Sequence, residues 1–176
     1  MDALQTSVAD LESLLQHFSR VDNDVYISGA NLHVDNGTGT RDAPNALGNV
    51  IIGYNGIRGG GDDDRSGSHM LVVGDFNNYG SCGGIVVGYA NTTSGPYSSV
   101  SGGSYSEASG GYSSVSGGTG NEASGEYSSV SGGDLNIASG PYAAVSGGYE
   151  NIASGFFSSV GGGFGNNASG LRQFLP

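Results

Sequence analysis

Residues 97–110 read YSSVSGGSYSEASG, and the phrase returns as YSSVSGGTGNEASG at 112–125, YSSVSGGDLNIASG at 127–140, YAAVSGGYENIASG at 142–155 and FSSVGGGFGNNASG at 157–170. Each copy starts 15 residues after the last. An aromatic recurs at Tyr97, Tyr112, Tyr127, Tyr142 and Phe157. Valine recurs at Val100, Val115, Val130, Val145 and Val160, and alanine at Ala108, Ala123, Ala138, Ala153 and Ala168. A unit this short is too small for a helical repeat or a propeller blade. It suits one coil of a narrow β-solenoid made of two short strands and two turns, with Ser99-Val100-Ser101 and Glu107-Ala108-Ser109 as strand cores. Gly102-Gly103 and Ser109-Gly110 supply the turns, where glycine takes positive φ cheaply. Stacked coils sit ~4.8 Å apart and pair their backbones along the axis. The valines and alanines are the predicted core, and the aromatics have two readings: a ladder that supports neighbouring coils, or an exposed strip that binds sugars or a protein partner.

Upstream, Val50-Ile51-Ile52-Gly53, Leu71-Val72-Val73-Gly74 and Ile85-Val86-Val87-Gly88 read as earlier, more apolar coils of the same structure. The extra length between the first two lies at Gly59–Gly67, an insertion that becomes a surface loop. Val25–Val34 reads as two short strands joined by a turn at Gly29-Ala30-Asn31. Before it, Leu4, Val8, Leu11, Leu15 and Phe18 follow the 4, 3, 4, 3 spacing of a heptad, widened by Leu14 and Val21. They are the predicted trimerisation seam of a short parallel coiled coil that Asn23 ends. Two turns of seam are too short to hold alone. The expected organisation is therefore a stem at 1–22, a transition with early β coils at 23–84, regular repeats at 85–170 and a cap or tail at 171–176. In the last, Leu171, Phe174 and Leu175 are expected to cover the open edge of the final coil.

The repeats also imply assembly. One valine and one alanine per coil bury little area at ~25 cal/mol per Å². A second packing surface is needed, and parallel chains set side by side by the coiled coil would provide it.

Val-Ser-Gly-Gly followed by Asn-x-Ala-Ser-Gly, repeated beside a coiled coil, resembles the head repeats of trimeric autotransporter adhesins. Similar repeats occur in bacterial surface proteins and phage tail fibres. The resemblance covers 85–170 well and 50–84 loosely. It implies a mainly β fold, a left-handed parallel β-roll, in a homotrimer joined to coiled-coil stalks. Two departures stand out: the coiled-coil pattern precedes the repeats here, and no membrane-anchor barrel follows them. A segment of a larger fibre, attached at its N-terminal side, is the expectation.

Composition narrows function. The net charge is −11 with five basic residues, all arginine, and 11 of the 16 acids lie before residue 76. Phosphate attraction needs clustered positive charge, so neither nucleic acid nor an anionic membrane surface is an expected partner. No run is long enough to insert directly in a membrane. Cys82 is the only cysteine and reads as a small buried residue. His17, His33 and His69 are far apart in sequence and no metal-ligand spacing occurs. Asp62, Asp63 and Asp64 are the one candidate for a cation site; a solvated loop paired with Arg65 or Arg58 is the default. No cofactor is implied. Glu107, Glu122 and Asp134 offer carboxylates for a polysaccharide-acting β-helical enzyme, but they recur at repeat or turn positions. Tyr105 and Tyr149 lie in another register, suited to display. The expectation is a non-enzymatic trimeric fibre or adhesin segment, extracellular or at a bacterial cell surface, with a host protein or carbohydrate as receptor. A virion fibre is the alternative.

Overall fold

The computed structural model describes residues 3–59 and 61–176, without the side chains of Ala3, Leu4 and Leu14. The chain forms two compact units, 1–33 and 34–176.

In the first unit a helix runs over Ala3–Leu15 and a hairpin follows, Phe18–Val21 against Asp24–Ile27. Val8, Leu11 and Leu15 fall on the helix, whereas the side chain of Leu4 lies outside the described residues. Phe18 corrects the heptad reading, since it starts a strand opposite Ile27. The β-branched and aromatic residues of FSRV and DVYI favour extended backbone. Asp22, with φ of 51°, turns the chain between them. The Ser28 amide then donates to the His17 carbonyl at 2.9 Å. Val25 and Ile27 thus pair backwards with 18–21, and Leu32–Val34 carries no strand, contrary to the two-strand reading of 25–34.

The second unit is a parallel β-solenoid with coils of about 15 residues. Among the described residues it has a nine-stranded sheet and a seven-stranded sheet, both stacked in parallel. The first sheet comprises Val50–Ile52, Leu71–Asp75 and Ile85–Tyr89, the two-residue strands from Ser99–Val100 to Ser159–Val160, and Phe174–Leu175. The second runs from Asn78–Tyr79 and Thr92–Thr93 through Glu107–Ala108 to Asn167–Ala168. The register keeps repeat positions together: Val100, Val115, Val130, Val145 and Val160 form one row. Ala108, Ala123, Ala138, Ala153 and Ala168 form the facing row. Both rows are buried and make one continuous core. Met70, Val72, Tyr79 and Val86 make a second, at the apolar early coils. Because side chains alternate along a strand, Leu175 continues the valine row while Phe174 points outward. The C-terminal segment is therefore a last strand. Leu171 and Phe174 are exposed and do not cover the end, whereas Leu175 packs on the core.

A third row is polar. The side-chain oxygen of Asn121 accepts from the Asn136 amide at 2.9 Å, that of Asn136 from Asn151 at 3.0 Å, and that of Asn151 from Asn166 at 2.9 Å. The amide nitrogens of Asn121, Asn136 and Asn151 donate within their own coil and to the next: Asn121 Nδ2 meets the Gly117 and Gly133 carbonyls, both at 2.9 Å. Asn55, Asn77 and Asn91 extend the row through the early coils. A fully bonded buried amide contributes where an unbonded one is costly.

Glycine at the Ala-Ser-Gly corners serves close approach. Gly110 and Gly125 do not have positive φ; a Cβ on Gly125 would lie 2.1 Å from the Gly140 carbonyl oxygen. The first of the two turn readings is therefore met at Gly103, with φ of 82°, and the second is replaced by axial crowding.

Candidate functional site

The corner before each valine strand is occupied by a residue in the left-handed region. Tyr97, Tyr112, Tyr127, Tyr142 and Phe157 all have φ of 57–59°. That conformation is uncommon for bulky residues and costs of order 1 kcal/mol. Stacking offsets it. Successive ring centroids are 5.2, 4.9, 4.9 and 4.8 Å apart, and the Tyr112 and Tyr127 planes differ by only 4°. The coil spacing is the stacking distance, so each ring faces its neighbours and presents its edge to solvent. Arginines close both ends: Arg41 lies 6.0 Å from the Tyr97 ring centre and Arg172 lies 5.9 Å from that of Phe157. Burial raises the Tyr97 phenol above its usual range.

Beyond Tyr97 the column opens into a cleft of about 450 Å³. Its floor is His69, Cys82, Gly83 and Tyr97, and its wall is the loop from Asp35 to Arg41. The loop is braced by buried Asn36, whose Nδ2 donates to the Ala43 carbonyl and whose Oδ1 accepts from Thr38 N and Oγ1. Asn45 pins it to the solenoid, its backbone amide donating to Ser68 Oγ at 2.9 Å. Cys82 is buried and unbridged, as expected of it.

The aspartates are engaged separately. Asp63 pairs with Arg65 at 3.5 Å and accepts from the Arg58 amide, whereas Asp64 accepts from Ser66 N and Oγ. Arg58 reaches across the coils to the Phe76 and Asn91 carbonyls, and burial lowers its pKa. Among the described residues no three His, Cys, Asp or Glu side chains are grouped to hold a metal. Glu107 and Glu122 stand opposite each other on adjacent strands of the second sheet. Tyr105 packs edge-on against Tyr89, and Tyr149 stacks on Phe164.

Two polar rows escaped the sequence reading. The asparagines had a signal, since an amide recurring in phase with the valine is under the same packing constraint. The row Ser98, Ser113, Ser128, Ser158 is buried with hydroxyls that no protein atom bonds, and Ala143 takes the same position. Nothing but burial distinguishes these serines from their exposed neighbours.

Compared with known proteins, the chain matches no family model and no curated protein.

Proposed function

We propose that this chain is a non-enzymatic segment of a homotrimeric fibre or adhesin displayed at a bacterial cell surface, its rolls left-handed and joined by a parallel coiled coil. The observation that carries this reading is the N-terminal helix. Among the described residues of its own unit, Val8, Leu11 and Leu15 are 46, 56 and 54% exposed, so the apolar stripe is only half covered there. A 13-residue helix is marginal in water unless that face is buried. Two further copies of the same stripe supply the cover, in the heptad register that Val8, Leu11 and Leu15 share.

The solenoid supports the same reading. Its first sheet turns outward exposed Val50, Ile52 and Ile85 in the early coils, then the small Ser99, Ser114, Ser129 and Ala144. Small residues let sheets approach closely. Three rolls then present three copies of any receptor-binding surface, and avidity follows from effective concentration.

Light scattering tests the assembly directly. The expected mass is three times the 17.6 kDa of one chain. A mass of one chain at micromolar concentration overturns the trimer, and failure of the trimer to bind host glycans or surface proteins on an array overturns the adhesive role.

A further inference from the structure

A second left-handed corner holds a tyrosine that the packing of the coils does not require. The bridges from Tyr89 to Phe164 place Ala90, Tyr105, Gly120, Leu135, Glu150 and Gly165 in one row, and the pairing of Asp75 with Tyr89 adds Phe76. Every member has positive φ, 55° at Tyr105. A bulky residue is strained there. In the Tyr97 column face-to-face stacking offsets that strain. Tyr105 has no such partner: the next coil carries Gly120, and Leu135 leans into that place, where an added Cβ would meet its Cδ2 at 2.7 Å. Its ring contact among the described residues is edge-on, to Tyr89 at 5.7 Å, and it stays 63% exposed. Strain kept at an exposed ring points to a use outside the fold.

Tyr105 borders a pocket of about 260 Å³ together with Phe76, Tyr89, Ala90 and Arg58. Phe76 meets Tyr89 edge-on at 5.3 Å, so the three rings make one bent apolar wall. Arg58 is held in place by backbone, its Nε donating to the Phe76 carbonyl at 2.6 Å and its Nη2 to the Asn91 carbonyl at 2.5 Å. Among the described residues no carboxylate stands within ion-pair distance of its guanidinium, and Nη1 meets no protein acceptor.

We infer that this pocket binds a neutral pyranose, a C–H face of the sugar on the Tyr105 ring and its hydroxyls accepting from the Arg58 guanidinium. The positively polarised C–H groups of the sugar are drawn to the negative face of the phenol ring. An apolar wall with one fixed polar group is the common form of a small-ligand site, and a donor already ordered lowers the cost of binding. Charge selects for a neutral sugar. Burial lowers the Arg58 pKa, with Arg65 acting in the same direction and Asp63, Glu107 and Asp62 against it. Two cations thus share the site with three carboxylates, and no excess of positive charge is left for an acidic ligand. The choice of a sugar rests on the adhesive reading above and gives it a ligand class.

Methyl β-galactoside, whose one face carries the C–H groups of C3 to C5, is the probe, titrated against the full chain by ligand-observed NMR. Galactitol keeps the hydroxyls without the ring, and the methyl β-galacturonoside keeps the ring and adds a carboxylate. The galactoside is expected to bind saturably in the millimolar range, at least fivefold tighter than either. Tyr105→Gly, which installs what Gly120 and Gly165 already are in this row, is expected to weaken it at least fivefold without lowering Tm. Arg58→Gln is expected to weaken it at least fivefold. Tyr149→Gly removes a half-exposed ring elsewhere and is expected to leave the affinity unchanged. The site is refuted if the galactoside does not saturate, if galactitol or the galacturonoside binds as tightly, if Tyr105→Gly binds as the parent does, or if Tyr149→Gly weakens binding as much. Binding of the trimer to host proteins on the array without binding of the galactoside removes this site and keeps the adhesive reading. Galactoside binding with a silent array keeps the site and removes the adhesive role.

Discussion

The guanidinium of Arg172 lies 5.9 Å from the centre of the Phe157 ring, at the next position of the same column and in the same left-handed corner, with φ of 54°. Arg41 does the same for Tyr97 at the other end, from a loop far away in sequence. A stack of rings has two bare faces, and a planar cation covers each.

That column makes Tyr127 informative, because it stacks on both sides at 4.9 Å. Tyr127→Gly loses two ring contacts but relieves the corner, and should cost about 1–2 kcal/mol. Tyr127→Val loses the same contacts and places a β-branched residue at φ of 58°, so it should cost more. Urea denaturation of the two variants checks the order; valine less harmful than glycine contradicts it.

Asn136→Ala removes three hydrogen bonds, to Gly132 O, Gly148 O and the Asn151 amide. At ~1 kcal/mol each, the expected loss is about 3 kcal/mol. Ser106→Asn should act in the opposite direction and raise stability by about 1 kcal/mol, since it restores the amide its row otherwise carries. Thermal melts of both variants decide the sign.

Gly125→Ala and Gly111→Ala look alike in sequence and differ in space. The first puts a Cβ 2.1 Å from the Gly140 oxygen, and backbone cannot give way. The second meets only Glu126 Cγ at 3.9 Å and Pro96 Cδ at 4.0 Å. A loss of about 3 kcal/mol or more is expected for Gly125→Ala, and a near-neutral effect for Gly111→Ala. Comparable melting temperatures for the pair would falsify the axial-crowding argument.

The tyrosines carry a pH dependence. Burial, then Glu126, then the phenols of Tyr112 and Tyr142 push Tyr127 above the ordinary phenol value of 10.0. A phenol is charged when it loses its proton, so the folded state retains the proton longer than the unfolded chain. The stability from this source is complete below pH 10.0 and is lost as pH rises through the raised folded value. Spectrophotometric titration of tyrosinate should show a higher midpoint in the folded protein than in urea.

Periodicity made the valine, alanine and aromatic rows legible, because a residue copied every 15 positions occupies one row when coils are in register. Phe18 shows the limit of spacing alone: it satisfied the heptad, but the β-favouring residues around Val21 and Val25 claimed it for a hairpin. Leu171 and Phe174 were apolar and near the end, yet the alternation of side chains decided which residue turned inward, and it chose Leu175. The reach of the corner row to His69 and Gly83 was hidden for a simpler reason. The period falls to 14 between Leu71, Ile85 and Ser99, so His69 and Gly83 slip out of phase in any 15-residue alignment.

The Ser106 rung has a mechanical consequence. Bonds between coils run along the axis, so a load applied to the ends passes through the rungs in series, and a chain in series parts at its weakest link. Asn121 ties its coil to the next through Asn136 N and Gly133 O, both at 2.9 Å. Ser106 offers the coil beyond it a single longer contact, to Asn121 N at 3.2 Å. Side-chain tethering along this row is therefore lightest at Ser106, and a solenoid pulled along its axis is expected to part there before it parts at Asn121, Asn136 or Asn151.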